Sequence, residues 1–212
     1  VDSPQARELN AWLDTISIAR EDAFSGAIDR YIGYTHGTAL ADIAVHGLPD
    51  AELINARMEW WHGSPPVPCW SRELADKEAA SIRDLLDFVV SQGARVVVMS
   101  WMRTERGYVR NLEQCAPTMP EAERKELARY TVERIRAELI AGMKEAPHVL
   151  FIGAAGNGGV ELAQADQATR FALPNFIMVG AVDQHGQAAS WSNTGPEVVI
   201  RARGVRVPAR LP

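Results

Sequence analysis

No apolar run in these 212 residues approaches the roughly 20 consecutive residues that a transmembrane helix needs, so no membrane span is expected. Basic residues are not in excess. The 22 Lys and Arg stand against 27 Asp and Glu, a net charge of -5, which builds no broad basic face for a phosphate backbone. Nucleic acid is therefore excluded as an expected partner. Cysteine is scarce: Cys69 and Cys115 neither make a metal-ligand spacing nor demand a disulfide framework, and free thiols are expected. No segment repeats at a solenoid period, which excludes a repeat architecture. What remains is 47% hydrophobic and 23% charged, an ordinary globular composition with apolar residues enough for one sizeable core and one domain.

Hydrophobic spacing alternates between two periods. Ala75, Ala79, Ile82, Leu86 and Val89 recur at helical spacing, Gln92-Gly93-Ala94-Arg95 interrupts them, and Val96-Val97-Val98-Met99-Ser100 follows as a continuous apolar strand. The unit then repeats. Thr118 with Glu121 reads as a capping box with Pro120 in the first turn, and Ala128, Val132, Ile135, Leu139 and Met143 form a helical stripe. His148 to Ile152 is the next strand. A weaker third unit places a short helix over 160–171 and a strand at Phe176-Ile177-Met178-Val179. Gly63 to Pro68 reads as a surface loop, and Arg103 to Pro117 as a longer one beyond a strand end. Continuous apolar strands separated by helices indicate an α/β fold with a doubly wound parallel sheet and helices on both faces. Ligands of such sheets bind at the carboxyl ends of the strands, which is where chemistry is sought.

Three segments carry candidate chemistry. Thr35-His36-Gly37-Thr38 precedes a helix-forming run, Ala39 to Ala44, and so sets a histidine at the rim of the sheet where it can act as a base; a structural histidine beside a turn glycine is the plainer reading of so short a match. Gly153-Ala154-Ala155-Gly156-Asn157-Gly158-Gly159 directly follows a strand. Its glycines suit either a phosphate cradle, with Asp183 after the next strand for a ribose, or an exposed Asn157 aimed at a developing oxyanion. The spacing Gly-x-x-Gly-x-Gly-Gly departs from the dinucleotide pattern Gly-x-Gly-x-x-Gly and weighs against the first. In Ser190-Trp191-Ser192-Asn193-Thr194-Gly195 the serines read as turn residues, and no glycine-flanked elbow surrounds either.

Taken in order, these segments resemble the subtilisin-like serine proteases, or subtilases. His36-Gly37-Thr38 with its helix resembles the family's histidine motif, and Val98-Met99-Ser100 the strand that lines the substrate cleft. Ala154-Ala155-Gly156-Asn157 is similar to the oxyanion motif. The run from Pro174 to Val182, then Ser190 to Gly195, is similar to the stretch that leads towards the nucleophilic serine. The resemblance implies a serine endopeptidase in which Asp2, His36 and Asn157 are catalytic and Ser100, Trp101, Met102, Ala154, Ala155 and Gly156 bind substrate. Val1-Asp2-Ser3 resembles the end of the family's aspartate strand, with Pro4 where a glycine is usual; Asp14 is the alternative, although it lies in an amphipathic stretch that suits a solvated carboxylate.

The family's Gly-Thr-Ser motif does not occur among these residues. Either the nucleophile lies on sequence outside them, so that residues 1–212 are one peptidase domain incomplete at the C-terminus and also at the N-terminus, or the fold serves as an inactive binding or scaffold domain. The resemblance further implies a protein or peptide substrate, a propeptide or companion chain carrying the serine, and a secreted or periplasmic location. No cofactor is required for the chemistry and no metal ligand is assigned; structural calcium held by loop carbonyls leaves no pattern to read. Trp101-Met102 stands where the family carries a small residue, which implies a narrowed pocket and small preferred side chains.

Overall fold

A computed structural model describes residues 4–15, 31, 34–57, 68–165 and 168–210. In chain order the elements are helix α1 (Pro4–Leu13), helix α2 (34–44), helix α3 (Arg72–Ser91), strand β1 (Val96–Met99), helices α4 (Glu105–Cys115) and α5 (Glu121–Glu145), strand β2 (Leu150–Ala154), strand β3 (Phe176–Val182) and strand β4 (Val198–Arg203). They fall into two compact units, Val1–Leu53 with Pro208–Pro212, and Ile54–Val207. In the smaller unit, α2 is held locally by the Thr35 hydroxyl donating to the Tyr31 carbonyl, and Asp42 accepts from the Arg210 backbone N–H at 2.9 Å.

The larger unit is built on a four-stranded sheet in the order β1-β2-β3-β4, every pair parallel, so the chain has the α/β parallel architecture its pattern predicts. The helix α3 begins where Ser71 accepts from the Leu74 N–H and ends before Gly93, whose φ of 81° a side chain would resist. Its buried face is Ala75, Glu78, Ala79, Ile82, Leu86 and Val89, and α5 buries Ala128, Val132, Ile135, Leu139 and Met143. The apolar stripes are those of the sequence; Glu78 is the addition. A Cβ at Gly142 would sit 2.8 Å from the Leu86 Cδ1, so glycine is what lets α5 approach α3 this closely. Phe151, Met178 and Met99 from the strands complete the core. Within this unit α5 packs on both α3 and α4, while Val96 and Val98 on the reverse face of β1 from Met99 are 53% and 51% exposed.

Local details depart from the sequence reading where tertiary contacts or proline intervene. Pro120 is the N-cap of α5 and no side chain caps it, so Thr118 and Glu121 form no capping box. A proline excludes helical backbone from the residue before it, which forbids an earlier start. The stretch expected as a loop from Arg103 to Pro117 contains α4, capped by Thr104 accepting from the Gly107 N–H and anchored by Tyr108 and Leu112 one turn apart. Among the described residues of 160–171 the expected helix is reduced to a single 3-10 turn, Leu162–Gln164, because the Leu162 N–H donates to the Thr194 carbonyl and the Val160 carbonyl accepts from the Thr194 N–H instead. The strand expected from His148 begins at Leu150, since the Val149 N–H closes a turn on Ala146.

The two cysteines are not free. Cys69 and Cys115 form a disulfide, their Cα atoms 5.4 Å apart, beside an amide clasp in which Asn111 accepts from the Trp70 N–H and donates to the Pro68 carbonyl. The α4 helix, absent from the sequence reading, is what carries Cys115 to Cys69. Among the described residues no helix is long and apolar enough to cross a membrane. Replacing both cysteines by serine removes a cross-link closing a loop of 46 residues and is expected to lower stability by about 2–4 kcal/mol. An unchanged denaturation midpoint under non-reducing conditions would show the bond contributes nothing.

Candidate active site

Because all four strands run the same way, their carboxyl ends lie along one edge of the sheet. Met99 is paired with Gly153, and Ala154 with Val179, so the segments leaving β1 and β2 start side by side, about 5 Å apart. One contributes Ser100, Trp101 and Met102, all half-buried; the other contributes Ala154, Ala155, Gly156 and Asn157. Six residues expected to bind substrate, together with Asn157, are thus collected on neighbouring strand ends of one unit.

The loop after β2 is shaped by a residue to which the sequence reading gave no role. Asn193 is 4% exposed, and its side-chain oxygen accepts from the N–H groups of Gly158 (2.9 Å) and Val160 (3.2 Å) while its amide donates to the Ala155 carbonyl (3.0 Å). Its own backbone N–H donates to the Gly156 carbonyl. One buried amide therefore fixes both ends of the 155–160 loop. Ser192 secures Asn193 from behind, its hydroxyl accepting from the Ala181 N–H and donating to the Asn193 carbonyl. Glycine is required at position 159, where φ is 63° and a Cβ would lie 2.7 Å from the Ser190 carbonyl oxygen. The signal available in the sequence was a Ser-Asn pair inside a turn, and turn chemistry explained it without any long-range partner.

Asn157, at the tip of this loop, is exposed, and no hydrogen bond to another described residue holds its amide. The amide can point at a ligand. The phosphate-cradle alternative loses ground here: two loop N–H groups it would use are already committed to Asn193, and no α-helix opens after the loop to present its N-terminus.

Under the segment leaving β1 lies a charged group in the core. Glu78 has no exposed surface, and its two oxygens accept from Arg103 Nε and from the Tyr108 hydroxyl, each at 2.6 Å. Burial, and then the adjacent Glu78 charge, pushes the Tyr108 phenol well above its ordinary range, so it remains a donor. An open pocket of about 370 Å³ lies elsewhere, its lining including Val132 and Arg136 of α5 with Arg170, Phe171 and Glu197. None of the expected site residues lines it. Burial, then the charge of Arg170, holds its Arg136 guanidinium below the usual value.

The acid-base residues stand apart from this cluster in the chain. His36 lies inside α2 rather than ahead of it, and its side chain is exposed; it belongs to the smaller unit, which is described by itself. Asp14 is an exposed turn residue just past α1, as a solvated carboxylate should be. Asp2 lies outside the described residues. Among the described residues no three His, Cys, Asp or Glu side chains gather so as to hold a metal ion.

Replacing Asn193 by alanine leaves the Gly158 and Val160 N–H groups without their acceptor and is expected to cost about 1–3 kcal/mol. Hydrogen exchange at those two amides should accelerate more than at core amides of α5. Uniform acceleration would show that Asn193 supports the whole fold and not this loop.

Parts of the chain are similar to known proteases. A 70-residue stretch is 40% identical to a thermostable alkaline protease of Halalkalibacterium halodurans, covering 33% of this chain and 18% of that protein. The prenylagaramide maturation protease PagA overlaps 63% of this chain and 40% of its own at 19% identity and a TM-score of 0.41. A cold-adapted subtilisin-like serine proteinase overlaps 63% and 38% at 16% identity and a TM-score of 0.39. The chain therefore spans well under half the length of each of these relatives. The model of the subtilase family, peptidase family S8, matches residues 27–209, and with the α/β parallel sheet and the motifs at its carboxyl edge this means that the chain belongs to the subtilase family.

Proposed function

We propose that the protein is a serine endopeptidase in which this chain supplies the base, the oxyanion donor and one wall of the substrate cleft. The observation that carries the reading is the exposed Asn157 amide on a loop braced by Asn193, beside the segment that leaves β1. A donor carried on a braced backbone needs less reorganisation when negative charge develops, which is what an oxyanion hole requires.

On this reading His36 takes the proton of a serine hydroxyl as the oxygen attacks a peptide carbonyl, and the carbonyl π electrons move onto oxygen, where Asn157 donates to them. Collapse expels the amine, protonated by His36, and leaves an acyl-enzyme. Water, deprotonated by the same imidazole, then releases the acid and restores the serine. Asp2 orients the imidazole and stabilises its charged form. The serine comes from sequence outside these 212 residues, which hold no Gly-Thr-Ser motif, on the same polypeptide or on a companion chain. Substrates are proteins or peptides, no cofactor takes part, and the family resemblance favours a secreted or periplasmic setting.

Treating the intact natural protein with a fluorophosphonate, and finding the label by mass spectrometry, tests the reading directly. Label on a serine of Gly-Thr-Ser context is expected; none on the mature full-length protein would turn the assignment to an inactive scaffold. Replacing Asn157 by leucine should lower kcat by about two to three orders of magnitude with little change in KM. A loss confined to KM would remove Asn157 from the oxyanion role. Replacing Trp101 by glycine should widen the pocket, raising kcat/KM for peptides with a large aromatic residue before the scissile bond by roughly tenfold or more relative to alanine. Equal acceptance of both by the unaltered protein would remove Trp101 as the residue that sets size.

A further inference from the structure

We propose that Glu78 is a positioning residue of the substrate cleft, setting side-chain selectivity through Arg103 and Trp101. The proposal rests on the peptidase reading above and adds to it a residue on the opposite side of the cleft wall from the substrate.

A carboxylate on the buried face of α3 is costly unless its charge and both oxygens are satisfied, and at this position alanine or leucine would serve packing alone. Here each oxygen meets a different element. One takes the Arg103 Nε of the segment leaving β1, the other the Tyr108 hydroxyl of α4. Glu78 thus joins α3 to the two pieces of chain that follow β1.

Arg103 passes the constraint on to the cleft. Its backbone carbonyl accepts from the Ala168 N–H at 2.9 Å, its guanidinium donates to the Met102 carbonyl at 3.3 Å, and the guanidinium carbon stands 5.8 Å from the centre of the Trp101 ring. Held by side chain and main chain together, Arg103 fixes where the Trp101-Met102 segment can lie. Tyr108 is braced in turn. Its ring packs at 4.6 Å against Trp70, whose indole N–H donates to the Thr131 hydroxyl, and Trp70 adjoins the Cys69–Cys115 bridge. The Glu78 oxygen on the Tyr108 side therefore faces an element that is itself anchored at both ends, which leaves Arg103 as the partner whose freedom depends on Glu78.

A buried ion pair can often be replaced by apolar residues with no loss of stability, so stability alone does not require this one. That separates the proposed role from a structural one. In the full-length protein, Glu78→Gln keeps the volume but removes the charge that holds Arg103. The ratio of kcat/KM for an alanine peptide to that for a phenylalanine peptide should fall by roughly tenfold, mostly through KM. The apolar triple variant Glu78→Leu, Arg103→Met, Tyr108→Phe, which leaves no unpaired charge, should show the same loss of selectivity if Glu78→Gln folds poorly.

Leu139→Ala, a core change in α5, serves as the control for destabilisation. Hydrogen exchange at the Ala168 amide, which reports on its bond to Arg103, should speed up more in Glu78→Gln than in that control. An unchanged peptide ratio, or an equal fall for both peptides, overturns the proposal. A natural protein that takes no fluorophosphonate label refutes the peptidase reading instead; in that case equal Ala168 exchange in Glu78→Gln and Leu139→Ala overturns the positioning role too.

Discussion

Parallel pairing of β1 with β2 is the constraint from which most of the larger unit follows. Two parallel neighbours cannot be joined by a tight turn, so the chain must leave the end of β1, cross the sheet and return to the start of β2. The crossover consists of α4 and α5, and it buries Leu112, Ile135 and Leu139 with no exposed surface against Phe151 and Met178. The same geometry decides where chemistry can sit. Crossovers lead away from the carboxyl ends, and those ends are left to the short segments that follow Met99 and Ala154.

Several polar side chains near or within the core hold the connections between strands in place. Glu78 joins α3 to Arg103 and Tyr108, Asn193 joins the loop after β2 to the turn after β3, and the Asn175 amide donates to the Met143, Ala146 and Val149 carbonyls at the end of α5. Each serves loop backbone or a charge that neither a strand nor a helix could satisfy. Removing one partner of a buried ion pair such as Glu78–Arg103 costs about 3–5 kcal/mol, while a satisfied pair adds little net stability. Arg103 is 30% exposed, which places its contribution towards the lower end.

The parts that were legible in the sequence are those governed by period. The apolar stripes of α3 and α5, and the cores of β1 and β3, recur in the structure at the positions their spacing marks. The reading failed where a distant contact decides. The α4 helix has only Tyr108 and Leu112 as buried anchors, and its polar composition conceals them. The disulfide needed α4 to be seen first. The turn at Leu162 gives up helical backbone for hydrogen bonds to Thr194, which lies far away in sequence. At the candidate site the sequence offers motif residues, which the structure sets on neighbouring strand ends, but it does not reveal the side chains that brace them. Asn193 and Glu78 act through partners 35 and 25 positions away, and no local pattern encodes a pairing of that kind.

These supports bear on how the proposed chemistry is divided. The loop that carries Asn157 takes its shape from Asn193, Ser192 and Gly159, all within the larger unit, and the Trp101 segment takes its shape from Glu78 and Arg103 in the same unit. The hydrogen bonds that shape both are made between residues of that unit. In enzymes of this mechanism the hole and the cleft keep substantial rate acceleration when a triad member is lost. On the proposed reading, the half of the site that would bind and polarise a peptide belongs to one sheet edge of the larger unit. An edge braced in this way would, on that reading, hold an extended peptide without a serine, and binding would then be separable from turnover.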